Sequence, residues 1–200
     1  VMGIQACPMP TAVLTSQTGF KSFYCNDCTD KLDYYTSEWK KLGFQPDGIY
    51  TGFLSSEKQV DKILEFINSF ENENTLVLVD PVMGDGGRTY SLFTDALACK
   101  MKKLVTVADV ITPNLTECCI LCDVDYCKFI KNADKPDFLD KIAELGKNLL
   151  NRYGVKIVII TGIEHKDIDG TMYVQNLIAS DSGVIRRTKG ESASLEDELK

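Results

Sequence analysis

Four short runs of β-forming residues, "GIYTG" (48–52), "TLVLVD" (75–80), "ADVITPN" (108–114) and "VKIVIITG" (155–162), constrain the fold of this chain more than any other feature. None of them alternates apolar with polar residues. A half-buried strand alternates because its faces meet different surroundings, whereas an uninterrupted apolar run suits a strand covered on both faces. Around the runs, Val60, Ile63, Leu64, Ile67 and Phe70 recur at helical spacing, and Leu139, Ile142, Ala143, Leu149 and Leu150 do so again. Each set lines one face of an amphipathic helix. Strand and helix in alternation predict an α/β fold on a mainly parallel sheet. Farther along, "GTMYVQNLI" and "GVIRRT" flank a turn-rich stretch and read as a hairpin.

Two hundred residues with 44% hydrophobic content suffice for one compact domain, expected over residues 1–188 and followed by a polar tail, 189–200. A net charge of −7 with no block of like charges argues against a nucleic-acid partner. No apolar stretch reaches the roughly 18 residues of a membrane span, and "VMGIQACPMPTAVL" lacks the basic flank of a secretory signal. A cytoplasmic protein away from membranes is expected. The chain opens inside an apolar run, with Val1 before Met2, which predicts a further segment upstream.

Eight cysteines include two CxxC pairs, Cys25/Cys28 and Cys119/Cys122. Structural zinc usually organises a small, core-poor module, and Cys118, Cys119 and Cys122 sit instead in an apolar, helix-like patch. They read as small hydrophobes kept reduced. The lone His165, in "IEHKDIDG", reads as a solvated loop residue.

Chemistry is expected where the parallel strands end, because ligands of such sheets bind outside the carboxyl ends. Thr51-Gly52, Asp80-Pro81, Thr112-Pro113-Asn114 and Thr161-Gly162 should reach one rim. Gly84, Gly86 and Gly87 are expected to present successive N–H groups to an anion. A carboxylate and an amide oxygen beside them are hard ligands of the kind Mg²⁺ prefers. Asn114-Leu-Thr-Glu117 also has capping-box spacing, so a helix cap and a metal-linked cluster both stand as readings.

"DPVMGDGGRTY" (80–90) followed by "ADVITPNLTE" (108–117) resembles the pyridoxal kinase branch of the ribokinase-like superfamily, and "GIQACPMPTAVLTSQTGF" and "DGIYTGFLSSEKQV" resemble its earlier segments in the same order. The resemblance runs from residue 2 to 188. It implies a three-layer α/β/α fold, incomplete here at both termini, and ATP-dependent phosphorylation of the 5′-hydroxyl of pyridoxal, pyridoxine or pyridoxamine. Asp80, Asn114 and Glu117 then match the Mg²⁺ and phosphate side, with Asp80 and Glu117 toward the metal. Asp85 matches an acid near the transferred phosphate and Tyr90 a residue covering the nucleotide phosphates, while Thr161-Gly162 also falls on the ATP side. Thr112 and Thr161, with Asp80, match a monovalent-cation site suited to K⁺. Ala12, Leu14, Thr18 and Phe53 match the ring-binding side, and a homodimer is the family's common assembly.

Three departures qualify the match. Gln17 stands where many relatives carry His, and Phe53 where many carry Tyr, which keeps a stacking face and removes a hydroxyl. The later "GTGD" segment, whose aspartate acts as base, has no counterpart before Lys200, so the chain as given is expected to lack activity. The neighbouring readings are a hydroxymethylpyrimidine (phosphate) kinase, a non-catalytic nucleotide-binding remnant, and a zinc- or thiol-based regulator.

Overall fold

The computed structural model describes residues 3–16, 22–133, 135–166 and 171–191, with the side chains of 165, 166 and 186–191 outside that description. In chain order the elements are β1 Ala12–Leu14, β2 Cys25–Asp27, α1 Thr29–Lys41, β3 Gly48–Thr51, α2 Glu57–Phe70, β4 Leu76–Val79, β5 Gly84–Asp85, β6 Arg88–Thr89, α3 Asp95–Val105, β7 Val110–Ile111, α4 Leu115–Cys122, α5 Tyr126–Ile130, α6 Phe138–Tyr153, β8 Ile157–Lys166, β9 Met172–Ser180 and β10 Gly183–Glu191. The central sheet has the order β10-β9-β8-β7-β4-β3; β3, β4, β7 and β8 run parallel, and β9 and β10 complete it antiparallel. The expected parallel sheet, both amphipathic helices and the hairpin are all present. β1 and β2 form a separate antiparallel arm, and β5 and β6 a small hairpin.

Topology decides which face of the sheet is buried. From β3 to β4 to β7 to β8 the chain always steps in the same direction, and right-handed crossovers then place every connecting helix on the same side. Ile49, Val77, Val79, Ile111, Val158, Ile160, Leu177 and Ala179 share that face by register, are all buried, and join the apolar faces of α2, α3, α4 and α6 in one cluster. The opposite face keeps Tyr50, Leu76 and Ile185 exposed. The expectation of strands covered on both faces therefore fails at β3, which alternates exposed and buried along its length.

Other boundaries differ from the sequence reading. "ADVITPN" yields only two strand residues, since Pro113 cannot donate to a ladder and Asn114 has turned to cap α4. β8 runs past Gly162 to Lys166, so His165 lies on a strand and not in a loop. β10 reaches Glu191. All eight cysteines are free thiols. Among the described residues no cluster of three His, Cys, Asp or Glu is placed to hold a metal, and no helix is long and apolar enough to cross a membrane.

One glycine sets how closely helix and sheet approach. A Cβ on Gly146, in the middle of α6, would lie 3.1 Å from the Ala179 methyl and 3.5 Å from Ile160 Cδ1. Glycine in a helix interior costs about 1 kcal/mol against alanine, so close packing is what the position gains. Gly146→Val is expected to lower the unfolding free energy by about 1–3 kcal/mol through overpacking, with Gly146→Ala near neutral. Urea titrations check this; a valine variant as stable as wild type would show spare room between α6 and the sheet.

Candidate functional site

Backbone pairing continues past the ends of the strands and lines up their last residues. The Asp80 N–H donates to Thr51 O at 3.0 Å, the Thr112 N–H to Val79 O at 3.2 Å, and the Thr161 N–H to Pro113 O at 3.0 Å. At this carboxyl rim a cleft of about 520 Å³ opens, lined by Tyr50, Asp80, Val82, Tyr90, Thr112, Asn114, Glu117 and Thr161. Of the residues expected at the rim, Asp80, Thr112, Asn114 and Thr161 line this cleft together with Glu117 and Tyr90, while Thr51, Gly52 and Gly162 do not. Tyr50 was not among them, although its place between the buried Ile49 and Thr51 puts it on the open face.

The loop after β4 is stapled to the first turn of α4. The Asn114 carboxamide oxygen accepts the Glu117 N–H, and Glu117 Oε2 accepts the Asn114 N–H at 2.8 Å, completing a capping box. The other carboxylate oxygen, Oε1, accepts the Met83 N–H at 3.0 Å. Asn114 Nδ2 donates to Gly84 O at 2.8 Å, and the Gly87 N–H donates to Thr116 Oγ1 at 2.9 Å. Cap and site cluster are therefore one construction, and the two readings of Asn114 and Glu117 do not compete.

The glycines have a different task from the one expected. The Gly86 N–H is held by Asp85 Oδ1 and the Gly87 N–H by Thr116, so neither faces an anion. Gly86 and Gly87 adopt φ of 55° and 78°, the left-handed region, and a Cβ on Gly87 would sit 2.4 Å from the Tyr126 ring. They allow the loop to fold back flat against α4 and α5.

Burial dominates the electrostatics. Glu117 is only 3% exposed, and desolvation pushes its carboxyl up to about 7; the Asn114 and Met83 N–H groups pull the other way, and the charge of Asp80 adds to the rise. Asp80 is raised by burial and drawn back by a hydrogen bond from the Thr112 side chain. The Tyr90 phenol is raised by burial and then by the charges of Asp85, Glu117 and Asp80. No Lys or Arg is among the lining residues. Two acidic side chains repel a phosphate, and a cation bound with it would offset that repulsion.

The residues fit a hard divalent ion. Two carboxylates, an amide and two threonine hydroxyls are oxygen donors, and Mg²⁺ is commonly held by one or two carboxylates plus substrate phosphates, with waters retained. Asp80 is the better placed for direct contact. Both Glu117 oxygens already accept backbone N–H bonds, which suits contact through a retained water.

The remaining expected residues lie outside this cleft. Asp85 is exposed on the β5–β6 hairpin, and Gly162 sits at an irregularity in β8 with φ 64°, its N–H on Asn176 Oδ1. Ala12 and Leu14 are on the separate arm, and Phe53 is on the loop between β3 and α2. Gln17 and Thr18 lie outside the described residues. Sequence reasoning missed Thr116 and Tyr126, which position the acidic loop; Thr116, between the two capping-box residues, was the readable signal.

The profile of the phosphomethylpyrimidine kinase family matches residues 11–195. The chain belongs to this family. Within it, a Bacteroides thetaiotaomicron protein provisionally described as a phosphomethylpyrimidine kinase, solved with pyridoxal, superposes with a TM-score of 0.81 at 37% identity over 94% of this chain and 63% of its own. A Schizosaccharomyces pombe protein provisionally named a pyridoxal kinase is 31% identical over 82% of this chain and 46% of its length, and the Dictyostelium discoideum pyridoxal kinase is 26% identical over 81% and 51%. The Lactobacillus plantarum pyridoxal kinase shares the fold, with a TM-score of 0.74 at 22% identity. The chain spans about half the length of these curated relatives.

A buried acid raised from 4.5 to about 7 makes stability depend on pH. The folded state binds this proton more tightly than the unfolded state, so the contribution is complete below about pH 4.5 and is lost as pH rises through 7, on the order of 3 kcal/mol. Urea unfolding in EDTA at pH 5 and pH 8 should show wild type losing more stability than Glu117→Gln over that interval. Equal losses would mean that Glu117 titrates as an ordinary surface acid.

Proposed function

We propose that this chain carries the Mg²⁺ and phosphate side of an ATP-dependent kinase whose acceptor is the 5′-hydroxyl of pyridoxal, pyridoxine or pyridoxamine. The observation that carries the reading is the rim cluster of Asp80 and Glu117 in a cleft with no basic side chain among its described lining residues, which supports a phosphate ligand carried with a cation. The acceptor class rests on the pyridoxal in the Bacteroides relative and on the names of the pyridoxal kinases it resembles.

In this reading Mg²⁺, when bound, offsets the charge of the nucleotide's outer phosphates. Asp80 and Glu117 would hold it, and Asn114 fixes both the Glu117 backbone and the loop carrying Asp85. Tyr90 covers the phosphates, Asp85 lies beside the transferred group, and the open space where Gly162 carries no side chain lets the nucleotide approach beside Thr161. Thr112 and Thr161, with Asp80, offer oxygens for K⁺. Ala12, Leu14, Thr18 and Phe53 bind the vitamer's ring. Phosphoryl transfer needs positioning and charge stabilisation more than covalent help, and these residues supply both; no described side chain is assigned as the base on the acceptor hydroxyl. The cytoplasm, where thiols stay reduced, and a homodimer complete the proposed setting.

The family's own description favours a second reading, a hydroxymethylpyrimidine (phosphate) as acceptor. ADP release measured on the full-length protein separates the two. The proposal expects a higher kcat/KM for at least one B6 vitamer than for hydroxymethylpyrimidine, and a fall in kcat of about 10²–10³-fold in Asp80→Ala, the usual scale for one charge-stabilising group. A preference for the pyrimidine would promote the second reading, and an Asp80→Ala enzyme of normal kcat would remove Asp80 from the site.

A further inference from the structure

The arm formed by β1 and β2 belongs to no larger sheet, yet a compact set of hydrogen bonds fixes it beside the β3–α2 loop. The Thr11 hydroxyl donates to Phe53 O at 2.7 Å, and the Ser55 hydroxyl donates to Asp27. Between them lies Gln59, on the first turn of α2. Its side chain is wholly buried, at 0% exposure. Its Oε1 accepts the Ser55 N–H at 2.8 Å and its Nε2 donates to Thr11 O at 2.7 Å. One amide thus joins the loop that carries Phe53 to Thr11, immediately before the strand that carries Ala12 and Leu14. The opposed demands of an N–H on one side and a carbonyl on the other are met by a carboxamide, and by neither a carboxylate nor an apolar side chain. A buried amide with both ends satisfied holds its partners at fixed spacing, because separating them strands polar groups away from water.

We infer that Gln59 is a positioning residue that sets the gap between the β1 arm and the Phe53 loop, and through it the fit of the slot that receives the acceptor's ring. The inference rests on the proposed function for what fills the slot, and on the structure alone for the clamp. Gln59 touches neither the rim cluster nor the cleft beside Asp80, so its effect should fall on the acceptor and spare the nucleotide.

The test uses the full-length protein with Gln59→Glu, which keeps the volume and the bond from Ser55 but turns a second acceptor toward Thr11 O. Asp109→Asn serves as a destabilised control. Asp109 accepts the Val77 N–H and pairs with Lys156 at the far ends of the strands. In Gln59→Glu the KM for pyridoxal should rise about tenfold while kcat and the KM for ATP stay within twofold. Amide exchange at Thr15 and Cys28, which close the ladder of the arm, should quicken about tenfold. Asp109→Asn should change neither the pyridoxal KM nor the exchange of the arm. An unchanged pyridoxal KM in a protein that turns pyridoxal over overturns the inference and leaves the function standing. If wild type phosphorylates no vitamer, the function falls, and unchanged exchange in Gln59→Glu then overturns the clamp by itself.

Discussion

The site depends on one buried carboxylate. Glu117 accepts the Met83 N–H with one oxygen and the Asn114 N–H with the other, joining the loop after β4 to the start of α4. The bonds from Asn114 to Gly84 and from Gly87 to Thr116 close the same seam. A charge is expensive to bury without partners, and here its partners are backbone donors of two separate segments. Removing the carboxylate would leave those donors unsatisfied and free the loop that positions Asp85 and Tyr90. The same burial lifts the acid toward neutrality, so the residue that organises the cleft is also the one whose charge a bound cation would restore.

The same seam explains why the apolar run of β4 leads straight into an acidic, glycine-rich loop. Asp80 follows β4 directly: its backbone N–H still pairs with Thr51 while its side chain lines the cleft. The glycines follow because the loop must turn back tightly enough for Gly87 to lie against the Tyr126 ring and for its N–H to reach Thr116. They shape the loop; its donors are occupied within the protein.

Much of this was readable in the sequence because burial leaves a periodic trace. The apolar faces of α2 and α6 repeat at helical spacing, and "TLVLV" is apolar throughout. The convergence of Asp80, Thr112, Asn114, Glu117 and Thr161 follows from the rule that parallel strands share one carboxyl rim. Other features left no such trace. Tyr50 is exposed although its strand reads as apolar, because one direction of stepping across the sheet puts every connecting helix on the other face. The roles of Gln59, Thr116 and Tyr126 arise from contacts between segments far apart in the chain. His165 was misplaced because its polar neighbours hide that β8 runs on to pair with β9.

The central claim is that Asp80 and Glu117 receive a cation-bound phosphate. Calorimetry of ADP binding at pH 7 in saturating Mg²⁺, repeated in two buffers of different ionisation enthalpy, counts the protons released on binding. A cation arriving beside a carboxyl raised to about 7 should expel its proton. The account predicts release of a substantial fraction of one proton by wild type and little by Glu117→Gln. Equal release by the two proteins, or none by wild type, would contradict it.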